Sequence, residues 1–479
     1  MNKKQLIHLK ELYMKYVYPV SAMYATIFFV VFYLCNYMNY GLDWWMTGTK
    51  TLRQIAFYCC ILTVVGILVS KKCLEMKLLL GYFCWIVISR VALGDLILHQ
   101  VRNGNWMAVS SCWGLMLCAF LGSSIYFTQK QRRLFVSILT IILVGMLSVW
   151  AVIAIPTAIG GKPLVGQHNI FLGAEYTTPP LVYISFFRMH RNISATFFVC
   201  TLGLSFYQSV MTKKLFWKII TAIFLPLSFI AVALQHSRSN YLTYAVVVSL
   251  VAMLLVGGRI RIESTLIKAV VCLVLTGACV VAVYAGFHLC NEGVLRLSTE
   301  VQSNVETPAG EEPNLPQGQN ASAQLTRISD SRDTLKDSAT LNHRSGVWKA
   351  ALKTLKENPK ILFLGQPEET MMDLVNEKID SPVNHMHNLF FQQLMFVGLP
   401  GLILILGFLG ALGKRVVDCF RNQRKKEMFV LPVTLAGLMV YGVFEPLLFP
   451  MNALASTMFM IQAGLLIADC KSVETAQEN

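Results

Sequence analysis

The chain predicts an all-α polytopic membrane protein, and three observations carry that prediction. Hydrophobic residues fill 55% of its 479 positions and charged residues only 14%, and the mean hydropathy is +0.55. The apolar residues fall into blocks of 17 to 26, almost free of charge, long enough to cross a hydrocarbon core of about 30 Å as helices. Transmembrane strands would need short alternating segments, and none is evident. The basic residues, finally, cluster between the blocks.

Twelve blocks are predicted as spans, at about 16–38, 54–70, 78–98, 105–127, 133–156, 192–210, 216–235, 240–257, 266–286, 388–413, 428–445 and 449–469. Met1 to Lys15 is basic and polar, and the first block lacks a small-residue cleavage site, so it reads as a retained span. With the N-terminus inside, 23 lysines and arginines fall on inner segments and seven on the short outer loops. That asymmetry predicts cytoplasmic termini and a partner in the lipid bilayer, and it turns the net charge of +15 into an orientation signal rather than a nucleic-acid footprint. Most of the 13 cysteines fall inside spans or on the inner side, so no disulfide framework is expected.

The expected organisation is residues 1–286 as helices one to nine, 287–387 as a large outer loop, and 388–479 as the last three helices with a short cytoplasmic tail. A second, shorter outer segment, Pro156 to Arg191, ends in Arg188-Met189-His190-Arg191. Within the large loop, 301–340 is rich in Ser, Asn, Pro, Gln and Asp and reads as a flexible tether. Val347, Ala350, Ala351 and Leu355, with Lys349, Lys353 and Lys356 between them, predict an amphipathic helix over about 342–357, stopped at Asn358-Pro359.

Several polar residues stand where charge is costly. Arg90 and Asp95 lie inside the third block, where each charge costs about 2.5–3.5 kcal/mol unless it faces protein or water. Either they pair structurally or Arg90 meets the diphosphate of a lipid carrier. Arg238 lies in the tight outer turn Gln235–Asn240 among other polar residues. Arg344 opens the amphipathic helix four residues before Trp348. It is either a surface cation beside an interfacial tryptophan or a fork aimed at phosphate. Glu445-Pro446 is a weaker candidate, since a carboxylate at a helix end is usually just solvated. His385-Met386-His387 opens the tenth span. No acidic cluster accompanies the pair in sequence, so no metal is predicted. His387 suits a general base instead, because imidazole titrates near neutrality.

His387-Asn388, followed by Gly398 and Gly401 at the nine- and two-residue spacings seen here, resembles the pattern of the O-antigen ligase and O-antigen polymerase superfamily. Arg344…Trp348 and Asn358-Pro359…Gly365 look like the upstream part of that signature, although Phe363 stands where the family often has a glycine. His236-Ser237-Arg238-Ser239 and Arg191-Asn192-Ile193-Ser194 are similar to its two arginine-bearing segments. The resemblance implies a GT-C type glycosyltransferase without cofactor or metal, on the outer face of the bacterial cytoplasmic membrane. Its donor would be a glycan on undecaprenyl diphosphate, and its acceptor a hydroxyl of a glycan, lipid or protein. On that reading His387 is the catalytic base. Arg238, Arg344 and Arg191, with Arg188 or Arg90, offset the diphosphate, and Asn388, Trp348, His385, Glu445, Gly398 and Gly401 support the site. A polysaccharide polymerase of the same superfamily is the alternative within the class. A twelve-span lipid-glycan flippase or transporter is the alternative outside it, and it predicts two related halves and short loops on both sides.

Overall fold

The computed structural model describes residues 3–38, 48–70, 73–93, 106–160, four two-residue strands between 172 and 186, and residues 191–212, 214–235, 237–257, 265–304, 338–379, 383, 385–421 and 429–477. Each of the twelve apolar blocks forms a helix. A basic helix, α1 (Lys3–Leu12), runs through a π-helical turn into α2 (Tyr18–Met38). There follow α3 (Lys50–Val69), α4 (Leu74–Ala92), α5 (Trp106–Ile125) and α6 (Gln129–Gly160). Next come α7 (Arg191–Thr212), α8 (Leu215–Leu234), α9 (Arg238–Gly257) and α10 (Thr265–Asn304). Three helices intervene, α11 (Ser338–Glu357) and the shorter α12 (Pro359–Leu364) and α13 (Glu368–Asn376). The chain closes with α14 (Leu389–Arg421), α15 (Val430–Phe444) and α16 (Ala453–Gln477).

Eight of these helices, among the described residues, are long and apolar enough to cross a membrane, and three more are apolar but shorter. The remaining one, α4, carries three charged residues, the buried Glu75 and Arg90 and the exposed Lys77. The strands are two antiparallel pairs of two residues each, with Leu172 opposite Phe186 and Thr177 opposite Val182. The protein is thus an all-α polytopic membrane protein with one small strand-paired excursion.

Helix α16 is the axis: 94% of its apolar stretch Ala453–Cys470 is buried, against 6% of Val270–Val294 in α10. An all-round apolar helix is stable only inside a protein or in lipid, and these two helices take the two options. Around the axis α5 lies against α16, α4 against α14, α2 against α3, and α9 against both α10 and α15. One end of the bundle is closed by the ion pairs Arg132–Asp469 and Arg415–Glu75, each at 2.8 Å. His387, at the start of α14, is at the opposite end of that helix from Arg415.

Two boundaries differ from the sequence expectation. Helix α10 continues through residue 286 to Asn304, and its 40 residues extend about 60 Å at 1.5 Å per residue. Phe287 explains the continuation: it is fully buried and stacks at 4.4 Å on both Phe229 and Tyr241. Of the tether expected at 301–340, residues 301–304 and 338–340 are helical and 305–337 lie outside the described residues. Helix α11 buries Val347, Ala350, Ala351 and Leu355 and exposes Lys349, Lys353 and Lys356. Pro359 then starts α12 at its first turn, where its missing N–H costs nothing.

Candidate active site

The site is built on a broken helix. Gly398 interrupts α14 with φ 69° and ψ −177°, and Pro400 follows it. Pro400 offers no N–H, so the carbonyl of Phe396 loses its partner one turn on. Here the released carbonyls are met from outside the helix. Arg90 Nη2 donates to Phe396 O at 2.7 Å, Trp85 Nε1 to Val397 O at 2.7 Å, and Gln366 N to Met395 O at 2.8 Å. The Arg90 guanidinium also lies 4.8 Å from the Phe396 ring centre.

Gly365, at φ 70°, faces Gly398 across this break. A Cβ on Gly365 would meet the carbonyl of Phe396, and one on Gly398 the carbonyl of Phe363. The two backbones pass so closely that both positions require glycine twice over, for conformation and for space. Gly401 is tight for another reason: its Cβ would strike the side chain of Val397. Where the family often has a glycine, Phe363 is exposed, and the turn is made two residues later, at Gly365.

The histidine turn precedes this helix. Asn388 caps it, its Oδ1 accepting from Phe390 N at 2.8 Å and Phe391 N at 3.0 Å, which satisfies two otherwise unpaired amides. Its Nδ2 donates to Val443 O at 2.9 Å and so joins α14 to the end of α15. Met386 N donates to Gln392 Oε1 at 2.8 Å, and Met386 O accepts from Trp348 Nε1 at 2.8 Å. The Trp348 ring stacks on Phe391 at 5.5 Å and 10°. Held on both sides, His387 adopts φ 48°, a left-handed backbone uncommon for residues other than glycine.

Glu445 completes the cluster. It follows α15 directly, is fully buried, and gathers three nitrogen-bearing side chains. Arg344 Nη2 lies 3.3 Å from Oε1, and His385 Nε2 and His387 Nδ1 each lie 3.7 Å from Oε2. At 3.7 Å the histidine contacts are electrostatic rather than tight hydrogen bonds. Burial alone pushes the Glu445 carboxyl up, but His387, His385 and Arg344 outweigh it and hold the group below the ordinary carboxylate range. Arg344 is further braced by the Phe444 ring, 5.8 Å from its guanidinium carbon.

The ligand atoms of His385, His387 and Glu445 all fall within 4.8 Å of one another, a spacing that fits a metal. The tautomer of His385 argues against one. His387 N donates to His385 Nδ1 at 3.1 Å, so a neutral His385 carries its proton on Nε2, the nitrogen that faces Glu445. Ligation through Nε2 would set an Nδ1–H against the His387 N–H. His385 is therefore held with its Nε2–H turned toward Glu445, 3.7 Å away. The carboxylate, in turn, favours the proton of a neutral His387 on Nδ1, leaving Nε2 as the basic nitrogen.

Of the residues singled out by sequence, the structure gathers His387, His385, Asn388, Trp348, Arg344 and Glu445. Glu445 is not the solvated helix-end carboxylate that sequence position suggests but the centre of the cluster. Arg90 is buried against the carbonyls of the α14 break, where its Nη2 donates to Phe396 O, the kind of structural partner that the sequence left open beside a diphosphate. Arg238 begins α9 and is exposed, and Arg191 begins α7. Arg188, Asp95 and His236 lie outside the described residues. Sequence reasoning passed over Gln392, which fixes the histidine turn, and Gln393, which accepts from Tyr82 Oη at 2.7 Å and donates to Leu448 O at 2.9 Å. Two adjacent glutamines in an apolar helix were the signal available for both.

Residues 222–406 match the family model described as O-antigen ligase, which supports membership of the O-antigen ligase superfamily. The matched segment includes Arg238, Arg344 and His387, and ends before Glu445. No curated protein matches the chain.

Proposed function

We propose that this member of the O-antigen ligase superfamily is a glycosyltransferase that moves a glycan from an undecaprenyl-diphosphate carrier to an acceptor hydroxyl, on the outer face of the cytoplasmic membrane. The observation that carries the reading is the His387–Glu445 pair: a strained histidine at a helix start, 3.7 Å from a buried carboxylate whose other oxygen holds an arginine.

The chemistry follows from that arrangement. The acceptor oxygen attacks the anomeric carbon while the bond from that carbon to the diphosphate oxygen breaks, and the diphosphate leaves with the electron pair. His387 Nε2 takes the hydroxyl proton, and Glu445 stabilises the imidazolium that results. Attack opposite the leaving group inverts the anomeric centre. A positioned base contributes about 10²–10⁴ in rate. The departing diphosphate gains negative charge, which preorganised cations offset. Arg344 has guanidinium N–H groups beyond the one engaged by Glu445, and Arg238 and Arg191 are the further cations of this reading. The N-terminus of α14 adds its own positive dipole end beside His387.

The test is transfer by the purified protein from a lipid-linked donor. His387→Ala is expected to lower kcat by about 10²–10⁴ without loss of fold, and transfer at the wild-type rate would refute the assignment. A ligase and a polymerase share this site, and a deletion strain separates them: long lipid-linked chains accumulate when a ligase is lost, single repeat units when a polymerase is lost.

A further inference from the structure

A second buried constellation lies one helical turn from Glu445, and the site described above does not use it. Tyr441, on α15, is fully buried, and its hydroxyl accepts from Asn452 Nδ2 at 2.9 Å. The same hydroxyl is hydrogen-bonded to the side chain of Thr196 on α7. Thr196 Oγ1 donates to Asn240 Oδ1 at 2.7 Å, and Asn240 Nδ2 donates to Ser237 Oγ at 2.8 Å. Ser237 Oγ is 3.3 Å from Ser239 Oγ. All of these side chains are less than a tenth exposed.

The donors and acceptors settle a single direction. Asn452 gives to Tyr441, Tyr441 gives to Thr196, Thr196 gives to Asn240 and Asn240 gives to Ser237. Thr196 spends its one proton on Asn240, so it can only accept from Tyr441, and Tyr441 is then left to accept from Asn452. A chain with one direction is mutually polarised, and breaking one link weakens its neighbours. The elements that it joins matter more than its middle. Ser237 and Ser239 flank Arg238, and Tyr441 precedes Glu445 by one turn, with Tyr441 O accepting from Glu445 N at 3.0 Å. The middle member, Thr196, sits near the start of α7, five residues after Arg191.

We infer that Tyr441 and Thr196 are positioning residues, which through this hydrogen-bond chain fix the turn carrying Arg238 relative to the loop carrying Glu445. The inference rests on the proposed glycosyl transfer, in which Arg238 meets the carrier diphosphate and Glu445 serves His387. Neither residue touches substrate on this view. Each sets the distance between a phosphate cation and the base.

A double-mutant cycle tests it, with steady-state glycan transfer by the purified full-length protein as the readout and the lipid-linked donor varied. Tyr441→Phe removes the hydroxyl that joins Asn452 to Thr196 and keeps the ring. Thr196→Val breaks the next link with little change in shape, and serves if Tyr441→Phe fails to fold. Each is expected to raise the donor KM about tenfold, a coupling typical of residues in one network. The same substitution in an Arg238→Ala background is expected to change donor KM by less than about twofold, because the residue to be positioned is gone. A purely structural role would give the same factor in both backgrounds, and that result overturns the inference. So does a wild-type donor KM in both single variants. His387→Ala in the same assay separates the two readings. If it is inactive while Tyr441→Phe matches wild type, positioning fails alone. If it stays active, the base assignment fails, and the Tyr441–Arg238 cycle still decides positioning.

Discussion

Glu445→Gln is the substitution on which the site stands or falls. It keeps the side-chain length and removes the charge that Arg344 meets at 3.3 Å and the two histidines at 3.7 Å. At an effective dielectric of about 20, a unit pair at 3.3 Å interacts by about 5 kcal/mol. Burying the carboxylate costs several kcal/mol in return. Arg344, 21% exposed, regains part of its solvation when the partner is lost. The net stability change is therefore small, about 1–3 kcal/mol. The effect on chemistry is larger. A glutamine that turns its amide N–H toward His387 Nδ1 forces the proton onto Nε2, and one that turns its carbonyl keeps the orientation without stabilising the imidazolium. Either way the base is impaired, and kcat is expected to fall by about 10²–10⁴, worth about 2.7–5.4 kcal/mol of barrier. The assay is single-turnover transfer from a lipid-linked donor, run beside a thermal melt. A folded variant within about threefold of the wild-type rate would show that Glu445 does not orient His387, and the dyad would have to be abandoned.

Three further outcomes are expected. Because its surroundings hold the Glu445 carboxyl below the ordinary range, the stability it contributes is complete above a pH of about 4.3 and is lost as pH falls through the lower folded value. Melting temperature measured downward from pH 6 should thus drop on the acid side, and Glu445→Gln should flatten that limb. Gly398→Ala places a Cβ against the Phe363 carbonyl at a φ of 69°, and should lower the melting temperature sharply or abolish folding, as read by thermal melts in detergent. Arg90→Met withdraws the donor from Phe396 O and should cost about 1–3 kcal/mol of stability while leaving donor KM unchanged. A donor KM raised tenfold in a folded Arg90→Met protein would assign Arg90 to the diphosphate.

What the sequence discloses depends on how local the physics is. The apolar blocks mark their helices because crossing or filling a hydrophobic layer is a property of a single segment. Val347, Ala350, Ala351 and Leu355 mark the buried face of α11 because the period of a helix is written in consecutive residues. Asn388 at the start of an apolar run marks a cap in the same way. The role of Glu445 is not legible in the sequence because its meaning lies in residues from two other places in the chain, Arg344 and the His385–His387 turn, and a lone carboxylate before a proline shows neither. Arg90 was ambiguous because the cost of a charge in an apolar block says that it must be satisfied, not by what. The extension of α10 to Asn304 is not legible locally because Phe287 stacks on rings from α8 and α9.

The break in α14 and the cluster at its start belong to one mechanical arrangement. The short half of the helix, from Leu389 to Val397, is fixed at its far end by Arg90 and Trp85 from α4, and in its middle by Tyr82 through Gln393. Gln393 and Trp113 both donate to Leu448 O, at 2.9 and 3.3 Å, and so pin the loop that bears Glu445. Leu448 and His387 are the two residues other than glycine with positive φ among the described residues, at 62° and 48°, and they lie on either side of the same carboxylate. Strain of this kind costs about 1–3 kcal/mol per residue and survives only where its surroundings over-determine it. The hydrogen bonds from α4 and α5 are those surroundings. They fix His387 and Glu445 relative to one another, the preorganisation that the proposed proton transfer would require. Arg344 reaches the same carboxylate from α11, which joins this frame through Trp348, whose Nε1 donates to Met386 O at 2.8 Å and whose ring stacks on Phe391. In the proposed transfer, the base and the arginine nearest it would thus be held by one connected frame.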